Sequence, residues 1–332
     1  MPPYRIAIQG APTLLGKELH AALEERHFPA LPPTLLDAPG GTPTADAAPL
    51  QRRLARFDEE AVVLVPCTSA ALAGVDAIFL AGTAAEAEAV AAMAPSRAVV
   101  VDLSNGLAER EQFALAGLEP RLAEGTPGAV VAHPAAQMLA HVLDRLQAAG
   151  LLHTLSATVF EPVSQRGWDG IEELQQQSAR LLALQTLPED VFGCQIAFNL
   201  RLRLGAGARP PLGALRRRIE AETARLHPGP APALQLIQAP VFHACLLSLY
   251  VRFAPEVEQE ALLQAMSSPW LRPAAEFPDV MSVAGTDAIA LGPLRADAAG
   301  GWWLWAGVDN LRRTAFSAVD AALALLAHKV RA

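Results

Sequence analysis

Apolar positions recur along this chain with two periods, and the alternation between them lays out the elements before any chemistry is considered. "YRIAIQG" (4–10) alternates through the length of a strand and ends in a glycine-bearing turn, after which "LLGKELHAALEERH" (14–27) repeats its apolar residues at helical spacing. "TLLD" (34–37) predicts a second short strand, and the Pro/Gly-rich "APGGTPTADAAP" (38–49) a surface loop. "VDAIFLAG" (75–82) and "AVVVDLSN" (98–105) are continuous apolar runs of strand length on either side of the Ala/Glu helix "AAEAEAVAAMA". Strands alternating with helices in this way predict parallel β-α-β units and a doubly wound, Rossmann-like sheet.

The pattern changes after residue 133. A helix is expected over 135–149, followed by "HTLSATVFEPVS" and the long polar helix "GIEELQQQSARLLAL". "ALQLIQAPVF", "LLSLYVRFA" and "GGWWLWAGVDN" are strand-rich, which predicts an α+β domain on a mixed sheet. "LRRTAFSAVDAALALLAHKV" is a helix whose apolar stripe needs a partner, expected in the first domain. The expected fold is therefore α/β. A Rossmann-like domain is placed at 1–132 plus 310–332, and an α+β dimerisation domain at 133–309.

Composition narrows the function classes. A core-forming 52% hydrophobic and 18% charged composition is globular, and a net charge of −8 gives no electrostatic basis for nucleic acid or an anionic membrane. No apolar run reaches the length of a membrane span, and "MPPYRIAIQG" does not have the form of a secretory signal. Cys67, Cys194 and Cys245 are far apart and lack metal-ligand spacing, so no metal site and a reduced cytoplasmic setting are expected.

"GAPTLLG" sets Gly10 and Gly16 six residues apart between strand and helix, where a dinucleotide fold uses the first glycine for a tight turn and the last for helix packing. The position at which backbone approaches pyrophosphate is Thr13, and Pro12 beside it offers no N–H. Asp37 closes the second strand about 20 residues on, where an acid contacts a ribose 2′-hydroxyl and repels a 2′-phosphate, which favours NAD over NADP. A loop-capping aspartate before Pro39 is the plainer alternative. Gly10, Thr13, Leu14, Gly16, Asp37 and Gly82 form the candidate cofactor set.

The chain resembles aspartate-semialdehyde dehydrogenases, and among them their Usg-type paralogues. The resemblance is carried by "IAIQGAPTLLGKEL" (against GATGxxG), "VVVDLSN", "AHPAAQ", "TVFEPVSQRGWDGIEEL", "IAFNL" and "APVFHA". It continues through "AGTD" at 284–287 and "VDNLRR" at 308–313, in an order that covers nearly the whole chain. The resemblance implies a two-domain homodimer in amino-acid biosynthesis. Its cysteine thiolate attacks an acyl phosphate or aldehyde, with hydride passing to or from NADP.

Carried over residue by residue, the family's "NPNC" falls on His133-Pro134-Ala135-Ala136, so the nucleophile position is Ala136. The family's glutamine falls on Glu161 and its acid/base histidine on Cys245, with His243 two residues earlier. The family's arginine in "SSAFR" falls on Ala108, with Arg110 nearby, and its substrate lysine on Arg218. Thiol-dependent dehydrogenation is therefore not expected.

Two readings follow: a dimeric binding or regulatory pseudoenzyme, one version of which associates with an active paralogue, or an NAD-dependent oxidoreductase on a small aldehyde or oxo compound that works without a thioester. For the second, His133 and Glu161 are the candidate acid/base pair, a turn histidine and a rim carboxylate being the bland alternative. Cys245 reads first as a small buried hydrophobe, not expected to bond His243 directly. Trp302 is expected on one face of its strand, with Trp303 and Trp305 on the other. Arg216 and Arg217 read as a solvated face and Arg312 and Arg313 as structural, leaving Arg218 and Arg110 as candidate anion ligands.

Overall fold

The protein is described here by a computed structural model covering residues 3–39, 53–57, 60–120, 122–150 and 152–331. Most of the 38–49 loop lies outside the described residues. The chain divides into two compact units, Met1–Ala132 with Thr314–Ala332, and His133–Arg313.

The first unit runs β1 (Ile6–Gln9), α1 (Leu14–Glu25), β2 (Thr34–Leu36), β3 (Arg53–Phe57), β4 (Glu60–Leu64) and α2 (Ser69–Leu72). It continues with β5 (Ala77–Leu80), α3 (Ala84–Met93), β6 (Val99–Asp102), β7 (Phe113–Ala116) and β8 (Gly128–Val131). Six strands form one sheet in the order β2-β1-β5-β6-β8-β7, parallel throughout, while β3 and β4 form a separate antiparallel pair. Every residue of IAIQ, AIFL, VVVD and GAVV is buried, which is why these strands read as continuous apolar runs.

Strand alternation then divides them between two cores. Ile6, Ile8, Phe79, Val101 and Val131 pack with Leu19 and Leu23 of α1, and Ala7, Ile78, Leu80, Val100 and Val130 with Leu72, Ala87 and Val90 of α2 and α3. The last helix, Asn310–Arg331, contributes Ala315, Phe316, Val319, Ala322, Leu325 and Leu326 to the first of these cores. Burial of such a side chain is worth about 1.5–3 kcal/mol for each large residue, so this helix is integral to the unit.

The second unit begins with α4 (Pro134–Ala149), β9 (Leu152–Glu161), a 3-10 turn (Val163–Arg166), α5 (Gly167–Leu182) and α6 (Leu212–Leu226). Next come β10 (Ala233–Gln238), β11 (Cys245–Phe253), α7 (Gln259–Ala265), β12 (Leu271–Pro273), α8 (Val280–Val283), β13 (Ile289–Leu291), β14 (Arg295–Ala296) and β15 (Gly301–Val308), with the last helix, α9 (Asn310–Arg331), beginning before the chain returns to the first unit. The sheet order is β10-β9-β11-β15-β13-β12, with β14 on β15 and both parallel and antiparallel pairs. Cys245, Leu247, Leu249, Val251 and Phe253 are buried on one face of β11, and α4 and α6 pack on strands of this sheet.

The opposite face carries Phe160, Tyr250, Trp303 and Trp305, all half-buried. Tyr250 lies 4.8 Å from Trp303 and Phe160 5.7 Å from Trp305, ring centre to ring centre. Each indole N–H donates within the chain, Trp303 to Asp297 and Trp305 to the Pro278 carbonyl. Trp302 pairs across from Val251, on the other face.

Candidate active site

In the first unit, Gly10 adopts φ +79° and Gly16 is the third residue of α1. A Cβ on Gly10 would stand 2.4 Å from the Gly82 nitrogen, and one on Gly16 2.1 Å from the Gly10 carbonyl oxygen. Both positions therefore require glycine. Thr13 is the N-cap of α1: its Oγ1 accepts from the Gly16 N–H at 2.9 Å and donates to the Ala81 carbonyl at 2.9 Å. The Thr13 N–H donates to the Gly10 carbonyl. With Pro12 lacking an N–H, the first turn offers a phosphate only Leu14 and Leu15.

Two residues not singled out from the sequence close the crevice between β1 and β5. Gln9, buried at the end of β1, accepts from the Gly82 N–H at 3.1 Å and donates to Glu86 Oε2 at 3.0 Å. The same Glu86 oxygen accepts from the Thr83 N–H at 2.8 Å, as the return half of a capping box on α3. A polar residue ending the apolar run IAIQ and the pattern Thr-Ala-Ala-Glu were the available sequence signals. With a carboxylate wired beside the glycine contact, a proline in the loop and the Thr13 and Gly16 N–H groups already bonded, these residues are a poor fit to a pyrophosphate. Asp37 follows β2, where its N–H donates to Val65 and its Oδ1 accepts from the Ala38 N–H, a loop-capping arrangement. Arg110 also lies in this unit, half-buried in the loop after β6, its N–H bonded to the Leu107 carbonyl.

In the second unit, α4 starts at Pro134, preset for the first helical position, and His133 is its N-cap. The His133 ring accepts at Nδ1 from the Ala135 N–H at 3.2 Å, and its Nε2 stands 3.1 Å from Glu161 Oε1. Both side chains are about 1% exposed. The backbone N–H of His133 donates to Glu222 Oε2 at 2.6 Å, and Glu222 Oε1 accepts from Arg218 Nε at 2.7 Å. Arg218 is thus held by α6's own carboxylate, its side chain 27% exposed.

Gln165 and Asn310, which the sequence did not single out, complete the network. Asn310 Oδ1 accepts from the Ala244 N–H at 3.0 Å, which fixes the amide so that its Nδ2 donates to Gln165 Oε1 at 3.0 Å. Gln165 Nε2 then faces His133 Nε2 at 2.7 Å. Both ring nitrogens are thereby asked to accept, and a neutral imidazole has one acceptor. A proton on Nε2 serves Glu161, whereas a proton on Nδ1 serves Gln165, so the ring's tautomer decides which partner it keeps. Glu161 Oε2 and Gln238 Oε1 are buried acceptors with no hydrogen-bond donor among the described residues. Arg166, bonded to the carbonyls of Arg209 and Pro210, is pulled below its ordinary value by burial, against the opposing charges of Glu161 and Glu173.

Ala136 is fully buried on α4 and carries only a methyl group. Cys245 opens β11, after Ala244 in the left-handed region at φ +72°. Burial pushes its thiol well above the ordinary cysteine value, and the Glu161 charge adds to this, so no thiolate is offered. His243 is half-buried before that turn, outside the strand. Arg313 donates to the Asp287 carbonyl at 3.0 Å and stacks on Trp270 at 5.1 Å, a structural role. No cluster of three or more metal-ligating side chains, and no helix long and apolar enough to cross a membrane, occurs among the described residues.

Fold and positions together define a semialdehyde dehydrogenase-type protein. The model of the semialdehyde dehydrogenase dimerisation domain matches residues 143–313, and the chain belongs to this family. It is 30% identical to a USG-1 protein homolog from Pseudomonas aeruginosa, over 94% of each chain. A solved structure from the same organism, described as "a probable aspartate-semialdehyde dehydrogenase", superimposes with a TM-score of 0.79 at 28% identity, over 98% of each chain. The NADP-bound aspartate semialdehyde dehydrogenase of Candida albicans shares the fold, with a TM-score of 0.64 at 14% identity over 98% of this chain and 99% of that one.

Proposed function

We propose that this chain is a semialdehyde-dehydrogenase homologue of the Usg type that has lost the thioester route and serves as a homodimeric binding or regulatory protein, one version of which associates with an active paralogue. The observation that carries this reading is Ala136 at the start of α4, with the replacement thiol of Cys245 buried and held protonated. A thioester cannot form on a methyl group, and a desolvated thiol is a poor nucleophile. The half-buried aromatic face around Tyr250, Trp303 and Trp305 supports self-association through the second unit. The test is turnover of aspartate semialdehyde with phosphate and either NADP or NAD, alongside light scattering. The expected result is no turnover and a dimer mass; turnover sensitive to thiol alkylation would overturn the reading.

A second reading rests on one observation, the buried His133–Glu161 contact at 3.1 Å. Such a pair suits proton transfer in an NAD-dependent reduction of a small carbonyl compound without covalent catalysis. A screen of carbonyl compounds tests it: activity lost in both His133→Asn and Glu161→Gln supports it, and activity unchanged in either removes it.

A further inference from the structure

β9 and β10 run parallel and end side by side, with Glu161 and Gln238 in register, so the two side chains leave the same face of the sheet. Both are buried, Glu161 at 1% and Gln238 at 0% exposure. The Gln238 amide has one orientation. Its Nε2 donates to the Glu161 carbonyl at 2.9 Å and to the Ala239 carbonyl at 3.4 Å, and a flipped amide would set oxygen against oxygen at both. Gln238 Oε1 is therefore the atom left over, and no described residue donates to it. On Glu161, Oε1 faces His133 Nε2 at 3.1 Å, while Oε2 has no donor among the described residues. Two buried acceptors at paired strand positions, one of them on a carboxylate, thus lack donors together.

The neighbouring donors are committed elsewhere. The Gln165 amide is held by Asn310 and directed at His133. Arg166, which feels the Glu161 charge, bonds the carbonyls of Arg209 and Pro210. An unpaired buried acceptor is costly, and a buried carboxylate without a counter-charge more so.

We propose that Glu161 Oε2 and Gln238 Oε1 form a subsite for a small protonated amine, whose N–H groups supply both missing bonds and whose charge offsets that of Glu161. The ligand class follows from what the site lacks. An anion would meet the Glu161 carboxylate and bring no donor to it. A water molecule can donate to both oxygens but brings no charge. A metal ion would find no group of three or more ligating side chains among the described residues. A primary ammonium brings three N–H donors and a positive charge on a compact head. The subsite shares Glu161 with the acid/base reading and does not depend on it, because binding is read without turnover.

Thermal unfolding of the full chain in methylammonium, tetramethylammonium and sodium chlorides tests it, with the wild type and Glu161→Gln. The two organic cations carry the same charge and only methylammonium has N–H donors; equal ionic strength makes screening common to all three. Methylammonium should raise the wild-type midpoint above that in sodium by about 2 °C or more, saturating with concentration. Tetramethylammonium should leave the midpoint where sodium does. Glu161→Gln removes the charge at nearly constant shape, and the methylammonium shift should fall to less than half. The same midpoint in all three salts, equal shifts with the two organic cations, or a methylammonium shift unchanged in Glu161→Gln would each overturn the proposal. The first two comparisons use the wild type alone, so they decide even where the variant fails to fold.

Discussion

The chain turns from strand into helix at two comparable places, β1 into α1 through Gly10–Thr13 and β8 into α4 through Ala132 and His133. In the first, the backbone itself sets the sequence: Cβ atoms at Gly10 and Gly16 would lie 2.4 and 2.1 Å from neighbouring backbone, so the glycines persist whatever the loop binds. In the second, a proline and a capping side chain start the helix, and residues 135 and 136 need only to be small and buried. A position constrained by backbone approach keeps its residue after chemistry has gone. A position constrained only by a reactive atom accepts any side chain that fits, and alanine fits. On the proposed reading, this difference is why the glycine turn is kept while residue 136, aligned with the family's nucleophile, carries a methyl group.

Substitutions that break this contrast should have graded effects. Gly10→Val, at positive φ and against the Gly82 backbone, should destabilise the protein by about 3 kcal/mol or more, whereas Ala136→Ser should cost about 1 kcal/mol; urea unfolding compares the two. Glu222→Leu strips the buried His133 N–H of its acceptor and leaves Arg218 without its partner, an expected loss of about 2–3 kcal/mol read from the same curves. Thr13→Ala removes the cap of α1 together with the hydroxyl's bond to the Ala81 carbonyl and should cost about 1–2 kcal/mol.

The smallest effect is a pH dependence. The folded Cys245 thiol titrates well above its ordinary 9.0, so the unfolded chain releases that proton first. Its contribution to stability is full below pH 9.0 and falls as pH rises above that value. Cys245→Ala should flatten the alkaline decline in unfolding midpoint.

The legible parts of the fold were those that periodicity reports. The buried runs IAIQ, AIFL and VVVD, the helix after His133 and the apolar stripe of the last helix all declare their faces locally. β7 (FALA) was missed because four residues among turns carry no period, and the β3–β4 pair because RLARF and EAVVL lack a clear turn signal between them. At the sites, His133 and Glu161 could be nominated together as a pair, on the family resemblance. The other contacts could not be, because Gln9 meets Glu86 across 77 residues and Gln165 meets Asn310 across 145. Spacing along a chain shows which face a side chain takes and carries no information on what the tertiary fold will set opposite it.

The claim central to the proposed function is that neither Ala136, aligned with the family's nucleophile, nor the buried Cys245 carries an acyl group as a thioester. Intact-mass spectrometry after incubation with β-aspartyl phosphate tests it most directly, since thiolate attack at carbon would release phosphate and leave the aspartyl group on sulfur. The expected spectrum is that of the unmodified chain. A stoichiometric adduct that maps to Cys245 would contradict the account, since it would require that buried thiol to ionise and reach its substrate.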